Sequence, residues 1–201
     1  MQAALLDSPV KTRKPWKLFL VLAVCAAPLV LSYFFYYVVK PAGRTNYGDL
    51  LDPRLYPMPV LQSKDLKLQG SHELTELRGK WILLMTGEGG CDQLCQQNLY
   101  HIRQVRTAQG KEMQRVERLW LITDQTAPVA ALLQQFAGTH IWYTEPARLK
   151  AWLPVAADDA HTGHIYLIDP LGNLMMRFPK QADPVKLKKD LSKLLKASAI
   201  G

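Results

Sequence analysis

The sequence predicts an α/β fold, a central mixed sheet flanked by helices, preceded by one N-terminal transmembrane helix. Three observations support this prediction. Residues 18–39 form an uncharged apolar run. Beyond residue 61, short apolar runs typical of strands alternate with longer runs of helical periodicity. Near the C-terminus a proline-glycine turn joins two further apolar runs, which indicates a hairpin.

The apolar run from Leu18 to Val39 has 22 residues, enough to cross a hydrocarbon layer of about 30 Å as a helix. It ends in five consecutive aromatic residues, 33–37, of the kind found at membrane interfaces. The run is longer than the apolar part of a cleaved signal peptide and lacks a small-x-small site, so we expect an uncleaved anchor.

Basic residues are slightly more frequent before the anchor than after it, with four in residues 11–17 and three in residues 40–54. This bias predicts a cytoplasmic tail, residues 1–17, and a C-terminal domain on the outer, periplasmic side of the inner (plasma) membrane. Residues 40–60 contain four prolines and two glycines and are predicted to be an extended linker. The remaining residues, 61–201, form the predicted domain.

Strand and helix patterns alternate along this domain. The predicted elements are a strand at 64–69, a turn at 74–79, a strand at 80–86, a helix at 92–108, a strand at 117–123, a helix at 128–136, a strand at 140–143, a helix at 147–153, a hairpin of 164–168 with 173–178, and a final helix capped by Asp183. Strands alternating with helices, then a closing hairpin and a helix, is the order of a thioredoxin-like fold.

The run Gly89-Gly90-Cys91-Asp92-Gln93-Leu94-Cys95 carries the strongest chemical signal. It follows a strand and leads into a helix, so both sulfurs are predicted in the first helical turns, where the helix dipole favours thiolate. Residues i and i+4 share one helix face, so the two sulfurs can bind one metal ion or form a disulfide. The chain has no second pair of cysteines that would complete a zinc ribbon.

The loop of residues 156–164, before the hairpin, lies against the cysteine turn in this type of fold. It contains no proline and two histidines, His161 and His164. His161 belongs to the loop, whereas His164 begins the strand and is expected to pack. Two thiolates and one imidazole form a soft donor set suited to copper, as Cu(I) or Cu(II).

These motifs resemble the Sco/SenC family of membrane-anchored copper proteins that help to assemble cytochrome c oxidase. The resemblance rests on Cys91-x-x-x-Cys95, on Leu121-Ile122-Thr123-Asp124 followed by Pro128, and on the run from His161 to Gly172. It implies that Cys91, Cys95 and His161 are copper ligands, and that the partner is a cytochrome c oxidase subunit or another copper or thiol protein. Asp92 and Gln96 replace prolines of the family, so the chain resembles a divergent member.

Two other functions stay open at this stage. Cys91 and Cys95 would be catalytic if the protein exchanged their disulfide with a partner dithiol, Cys91 attacking and Cys95 resolving. A domain that only binds partners is the third possibility. The net charge of +8 gives no support to nucleic-acid binding, because neither a stacking platform nor a known motif accompanies the basic residues.

Overall fold

A computed structural model describes residues 16–39, 46–66, 70–155 and 162–201. The chain divides into two compact units, Met1–Arg44 and Thr45–Gly201.

The first unit contains one long apolar helix. Helix α1 spans Trp16–Phe34 and continues as a π-helical turn over Phe35–Val39. The stretch Trp16–Val38 has 23 residues and a mean hydropathy of 2.5, so it is long and apolar enough to cross a membrane. Its large apolar side chains are exposed. The predicted N-terminal apolar helix is therefore present within two residues of its expected start.

Within the described residues, the second unit contains eight strands in one sheet. They are β1 (Asp49–Leu50), β2 (Gln62–Lys64), β3 (Ser71–Glu73), β4 (Trp81–Gly87), β5 (Val116–Ile122), β6 (His140–Tyr143), β7 (Ile165–Ile168) and β8 (Leu174–Phe178). The strand order is β1-β8-β7-β4-β5-β6-β2-β3. Strands β4, β5 and β6 are parallel and all other pairs are antiparallel, which confirms the predicted mixed sheet.

Helices cover both faces of this sheet. They are α2 (Gln93–Thr107), α3 (Ala130–Gln135), α4 (Pro146–Trp152) and α5 (Pro184–Ala197), with 3-10 turns at Leu74–Leu77 and Gly110–Arg115. Alternate residues of β4 point to opposite faces. Leu83 and Met85 pack in the core beneath α2 and α5, and Leu84 packs in the core beneath α4. Both faces of β4 are therefore buried, as expected for a central strand.

Residues 46–60, predicted to be linker, are part of the second unit and contact its helix α5 and strand β8. Asp190 of α5 accepts hydrogen bonds from the backbone N–H groups of Tyr47 and Gly48, at 2.6 and 3.0 Å. Strand β1 pairs with β8, and the Met58 N–H donates to the Gly172 carbonyl at 2.8 Å. The rest of the predicted linker, residues 40–45, lies outside the described residues.

Most predicted strands and helices begin and end within one residue of the observed ones, and the first strand and the helix after Pro128 differ by more. The first predicted strand, 64–69, is found as Gln62–Lys64, and residues 67–69 lie outside the described part. The helix predicted from Asp92 begins at Gln93, because the Asp92 side chain caps it by accepting from the Cys95 N–H. The helix predicted at 128–136 is shorter, Ala130–Gln135.

Candidate functional site

Strand β4 delivers the cysteines to one end of the sheet. It ends at Gly87, and the chain turns through residues 88–90 before Cys91, whose N–H donates to the Glu88 carbonyl at 3.1 Å. Asp92 then caps α2, its carboxylate accepting from the Cys95 N–H at 2.8 Å. Cys95 therefore sits in the first turn of α2, where the free N–H groups and the helix dipole stabilise negative charge.

Cys91 and Cys95 are joined by a disulfide, with their Cα atoms 5.1 Å apart. The expected placement of both residues on one helix face is wrong for Cys91, which precedes the cap. Its φ of 42° lies in the left-handed region, which costs a non-glycine residue about 1–2 kcal/mol. This backbone turn, rather than helical spacing, aims the Cys91 sulfur at Cys95.

A second loop holds the cysteine turn from the side. The Gly89 N–H donates to the Asp124 carboxylate at 2.7 Å. Burial alone would raise the pKa of Asp124, but hydrogen bonds from the Thr126 side chain and from backbone N–H groups outweigh it and lower that pKa. The two loops touch closely, because a β-carbon on Gly89 would lie 1.7 Å from the Thr126 carbonyl oxygen. Only glycine fits at position 89.

The disulfide faces a cavity of about 330 Å³. Its lining includes both cysteines and the residues Met85, Asn98, Thr162 and Gly163. Cys91 is only 3% exposed and Cys95 only 8%. A reagent or partner must therefore enter this cavity to reach either sulfur.

The loop before β7 closes one side of the cavity. The Asn98 side-chain N–H donates to the Gly163 carbonyl at 2.9 Å, which ties this loop to α2. Gly163 has a φ of +88°, and a β-carbon there would lie 3.0 Å from the Leu94 side chain. The close approach and the left-handed backbone both require glycine at this position.

The predicted site residues are brought together only in part. Cys91 and Cys95 are bonded to each other, whereas His161 lies outside the described residues. Its neighbours in sequence, Thr162 and Gly163, line the cysteine cavity. His164 is buried, and its Nδ1 lies 2.8 Å from the Phe178 carbonyl, so it packs against β8.

Among the described residues, the two cysteine sulfurs are the groups at the site suited to a soft metal ion. No cluster of three or more histidine, cysteine, aspartate or glutamate side chains suited to a metal ion occurs there. The two sulfurs are suitable ligands for a soft ion once they are reduced. His161, the third ligand that the sequence predicts, lies outside the described residues.

Three residues that shape the site were not singled out for this role from the sequence alone. Asp124, named above only as part of a motif, holds the cysteine loop. Asn98 lies three residues after Cys95, a spacing that puts both on one helix face and could have drawn attention to it. Trp120 of β5 is fully buried, and its indole lies beside Gly87 at the site.

The fold and the site together define a thioredoxin-like protein with a buried cysteine pair and an N-terminal apolar helix. Residues 81–198, more than half of the chain, match the family described as transmembrane-like, thioredoxin-like, C-terminal domain. The chain belongs to this family. No protein of curated function matches the sequence.

Solved structures with the same fold include a thiol-disulfide oxidoreductase and Sco1 proteins. The thioredoxin domain of a thiol-disulfide oxidoreductase from Bacteroides vulgatus is 17% identical, with a TM-score of 0.53 over 70% of this chain and 96% of that one. Apo Sco1 from Thermus thermophilus is 18% identical, with a TM-score of 0.55 over 78% and 98%. Yeast Sco1 with copper bound is 16% identical, with a TM-score of 0.53 over 78% and 97%. At these identities the likeness extends to the fold alone.

Proposed function

We propose that this protein is a membrane-anchored thiol-disulfide exchange protein whose working group is the Cys91–Cys95 pair. The observation that carries the proposal is a disulfide at the N-terminus of helix α2, with Cys95 in its first turn, at the wall of a cavity of about 330 Å³. A helix N-terminus stabilises the thiolate, which is the form that attacks disulfides and leaves them. The cavity gives a partner's sulfur a place to approach.

The exchange uses both cysteines in turn. In the reduced protein the Cys91 thiolate attacks one sulfur of a partner disulfide, and the partner's other sulfur leaves and takes a proton. Cys95 then attacks the Cys91 sulfur of the mixed disulfide and releases the partner as a dithiol. Two electrons pass from this protein to the partner, and the Cys91–Cys95 bond forms again; the reverse sequence oxidises a partner dithiol.

The reduction of insulin disulfides by dithiothreitol tests this function with the full chain in detergent. The wild-type protein is expected to accelerate the reaction, and Cys91→Ser to abolish the acceleration. Cys95→Ser is expected to stop turnover while a mixed disulfide accumulates at Cys91. No acceleration by the wild-type protein would contradict the proposal. A mixed disulfide that accumulates in Cys91→Ser and not in Cys95→Ser would contradict the assigned order of attack.

The apolar helix and the family support a place at the membrane. We propose that the helix is a single-pass anchor in the inner membrane and that the second unit faces the periplasm. This side fits the modest excess of basic residues before the helix and the oxidising compartment in which a disulfide persists. Cysteine-reactive labelling of intact cells, with a membrane-impermeant reagent after mild reduction, tests the side.

Copper binding is the second candidate function. Yeast Sco1 binds copper on the same fold, and Thr162, the neighbour of His161, lines the cysteine cavity. We propose His161, the residue before Thr162 in the sequence, as the third donor, because an imidazole and two sulfurs form a donor set suited to copper. In this function Cys91, Cys95 and His161 carry copper to cytochrome c oxidase or to another copper protein as cargo.

Copper reconstitution of the reduced full chain tests this candidate. One copper ion per chain is expected, with weaker retention in His161→Ala and unchanged retention in His72→Ala. His72 is the matched control because it lies away from the cysteines: its ring stacks on Trp142 of strand β6. In the sheet, β6 is two strands away from β4, the strand that leads to Cys91. Equal copper retention by both histidine variants would remove His161 from the site.

A further inference from the structure

We propose that the indole N–H of Trp120 is the hydrogen-bond donor that stabilises the Cys95 thiolate when the disulfide is reduced. This inference rests on the proposed exchange function and assigns Trp120 as a positioning residue for the sulfur. Three features of the site lead to it: a buried donor without an acceptor, a glycine that leaves space, and the movement that reduction imposes on the sulfur.

The donor is a buried indole N–H. Trp81 and Trp152 also carry one without a partner among the described residues, whereas that of Trp120 borders the space at Gly87 that Cys95 also borders. Trp120 lies on β5 and its side chain is fully buried. Its Nε1 atom has no hydrogen-bond partner among the described residues and is closed to solvent. Buried polar groups in folded proteins almost always have a partner, so an indole N–H left over beside a reactive group calls for an acceptor in another state of the protein.

Gly87 provides the space between the donor and the sulfur. A β-carbon at Gly87 would lie 3.7 Å from Trp120 Nε1 and 4.0 Å from Cys95 Sγ. The indole N–H and the Cys95 sulfur therefore border the same small volume. It stays open because residue 87, the last residue of β4, has no side chain.

The sheet register explains why these groups meet. Met85 of β4 is paired with Trp120 of β5, and Gly87 is two residues further along the same face of β4. That face of the sheet is the one covered by α2, which carries Cys95. The sulfur, the glycine and the indole are thus stacked between helix and sheet.

Reduction supplies the missing acceptor. When two electrons enter the disulfide its bond breaks, and the two sulfurs separate because they are no longer held at bonding distance. The open volume beside Gly87 lets the Cys95 sulfur move toward the indole. Two electrons added to a disulfide leave both sulfurs as thiolates, so the Cys95 thiolate accepts a charge-assisted hydrogen bond from the Trp120 N–H while the other sulfur takes up a proton from water. Such bonds are stronger than neutral ones.

Two variants separate this hydrogen bond from simple packing. Trp120→Phe removes the N–H and keeps an aromatic ring in the core. Gly87→Ala keeps the indole and fills the shared volume with one methyl group, whose contacts of 3.7 and 4.0 Å are ordinary van der Waals distances. Gly87→Ala is therefore expected to fold normally, which guards the test against a folding failure of Trp120→Phe.

The measured quantity is the midpoint potential of the Cys91–Cys95 couple in glutathione buffers, where two glutathione thiols supply the two electrons and form glutathione disulfide. Losing the hydrogen bond destabilises the reduced form, so both variants are expected to have a lower potential than the wild type. We expect a shift of about tenfold in the exchange equilibrium, which is about 30 mV for a two-electron couple. The pKa of the Cys95 thiol, followed by alkylation rate, is expected to rise in both.

Fluorescence gives an independent readout. A disulfide quenches a neighbouring indole, so reduction of the wild-type protein is expected to increase its emission. Trp120→Phe is expected to lose this increase, although four other tryptophans remain in the chain.

The outcomes distinguish this inference from the proposed function. The role of the N–H would be overturned if both variants kept the wild-type midpoint potential, or if only Trp120→Phe shifted it. Neither result would affect the proposed exchange function, which is tested by insulin reduction with the wild-type protein. A disulfide that dithiothreitol cannot reduce would overturn the exchange function, and Trp120 would then have no thiolate to stabilise.

Discussion

Replacing Gly89 by alanine tests the connection between the cysteine turn and the loop after β5. The added β-carbon would lie 1.7 Å from the Thr126 carbonyl oxygen and 2.7 Å from the Thr126 carbonyl carbon. Both contacts are to backbone, so no side-chain rotation relieves them. The two loops must therefore separate by more than about 1 Å to reach normal van der Waals distances.

The cost follows from what this separation breaks. The hydrogen bond of 2.7 Å from the Gly89 N–H to the Asp124 carboxylate cannot survive it. A hydrogen bond to a charged group contributes about 1.5–3 kcal/mol. Overpacking adds about 1–3 kcal/mol. Gly89→Ala is thus expected to lower the free energy of unfolding by on the order of 3 kcal/mol.

Gly90→Ala is the matched control, because no atom lies within 4 Å of a β-carbon at that position. It is expected to change the free energy of unfolding by less than about 0.5 kcal/mol. Urea unfolding of the full chain in detergent, followed by tryptophan emission, measures both. With a slope of about 2 kcal/mol per molar urea, Gly89→Ala should unfold about 1.5 M earlier. Equal midpoints for the two variants would refute the assigned contact between the loops.

Three further predictions concern the supports of the site and of the domain edge. Asn98→Ala loses the bond to the Gly163 carbonyl and should lower stability by about 1–2 kcal/mol in urea unfolding; an unchanged midpoint would contradict that link. Asp190→Ala leaves the Tyr47 N–H without its acceptor and should lower the free energy of unfolding by about 2 kcal/mol in the same assay. An unchanged midpoint would contradict the packing of residues 46–60 on the domain. The pKa of Asp124 is lower in the folded than in the unfolded protein, so its carboxylate stabilises the fold at any pH above the unfolded pKa of about 4. This contribution to the free energy of unfolding is lost as the pH falls through the folded pKa. The stability difference between the wild type and Asp124→Asn should therefore shrink in acid, and a difference independent of pH would contradict this assignment.

The parts of the fold with strong periodicity could be predicted from the sequence. Strand β4 was expected at 80–86 and is found at Trp81–Gly87, because an uninterrupted apolar run is typical of a strand buried on both faces. The Asp183 cap and Pro184 located the start of α5. Strand β1 was missed, since two residues in a proline-rich stretch have no period and are held only by pairing with β8.

The geometry of the site depended on contacts that no local pattern contains. The spacing of Cys91 and Cys95 correctly indicated that their sulfurs can meet. It did not reveal the left-handed backbone at Cys91 that directs its sulfur toward Cys95. Asp124 holds Gly89 across 35 residues of sequence, and Asn98 holds Gly163 across 65. The role of His161 as a third ligand stays a prediction.

The midpoint potential of the Cys91–Cys95 pair tests the central claim most directly. Thiols are quantified by alkylation and mass spectrometry after equilibrating the full chain in glutathione buffers. An exchanging pair should show a single two-electron transition at a potential above roughly −300 mV, with both thiols appearing together. A potential below that value would identify a structural disulfide and contradict the proposed exchange.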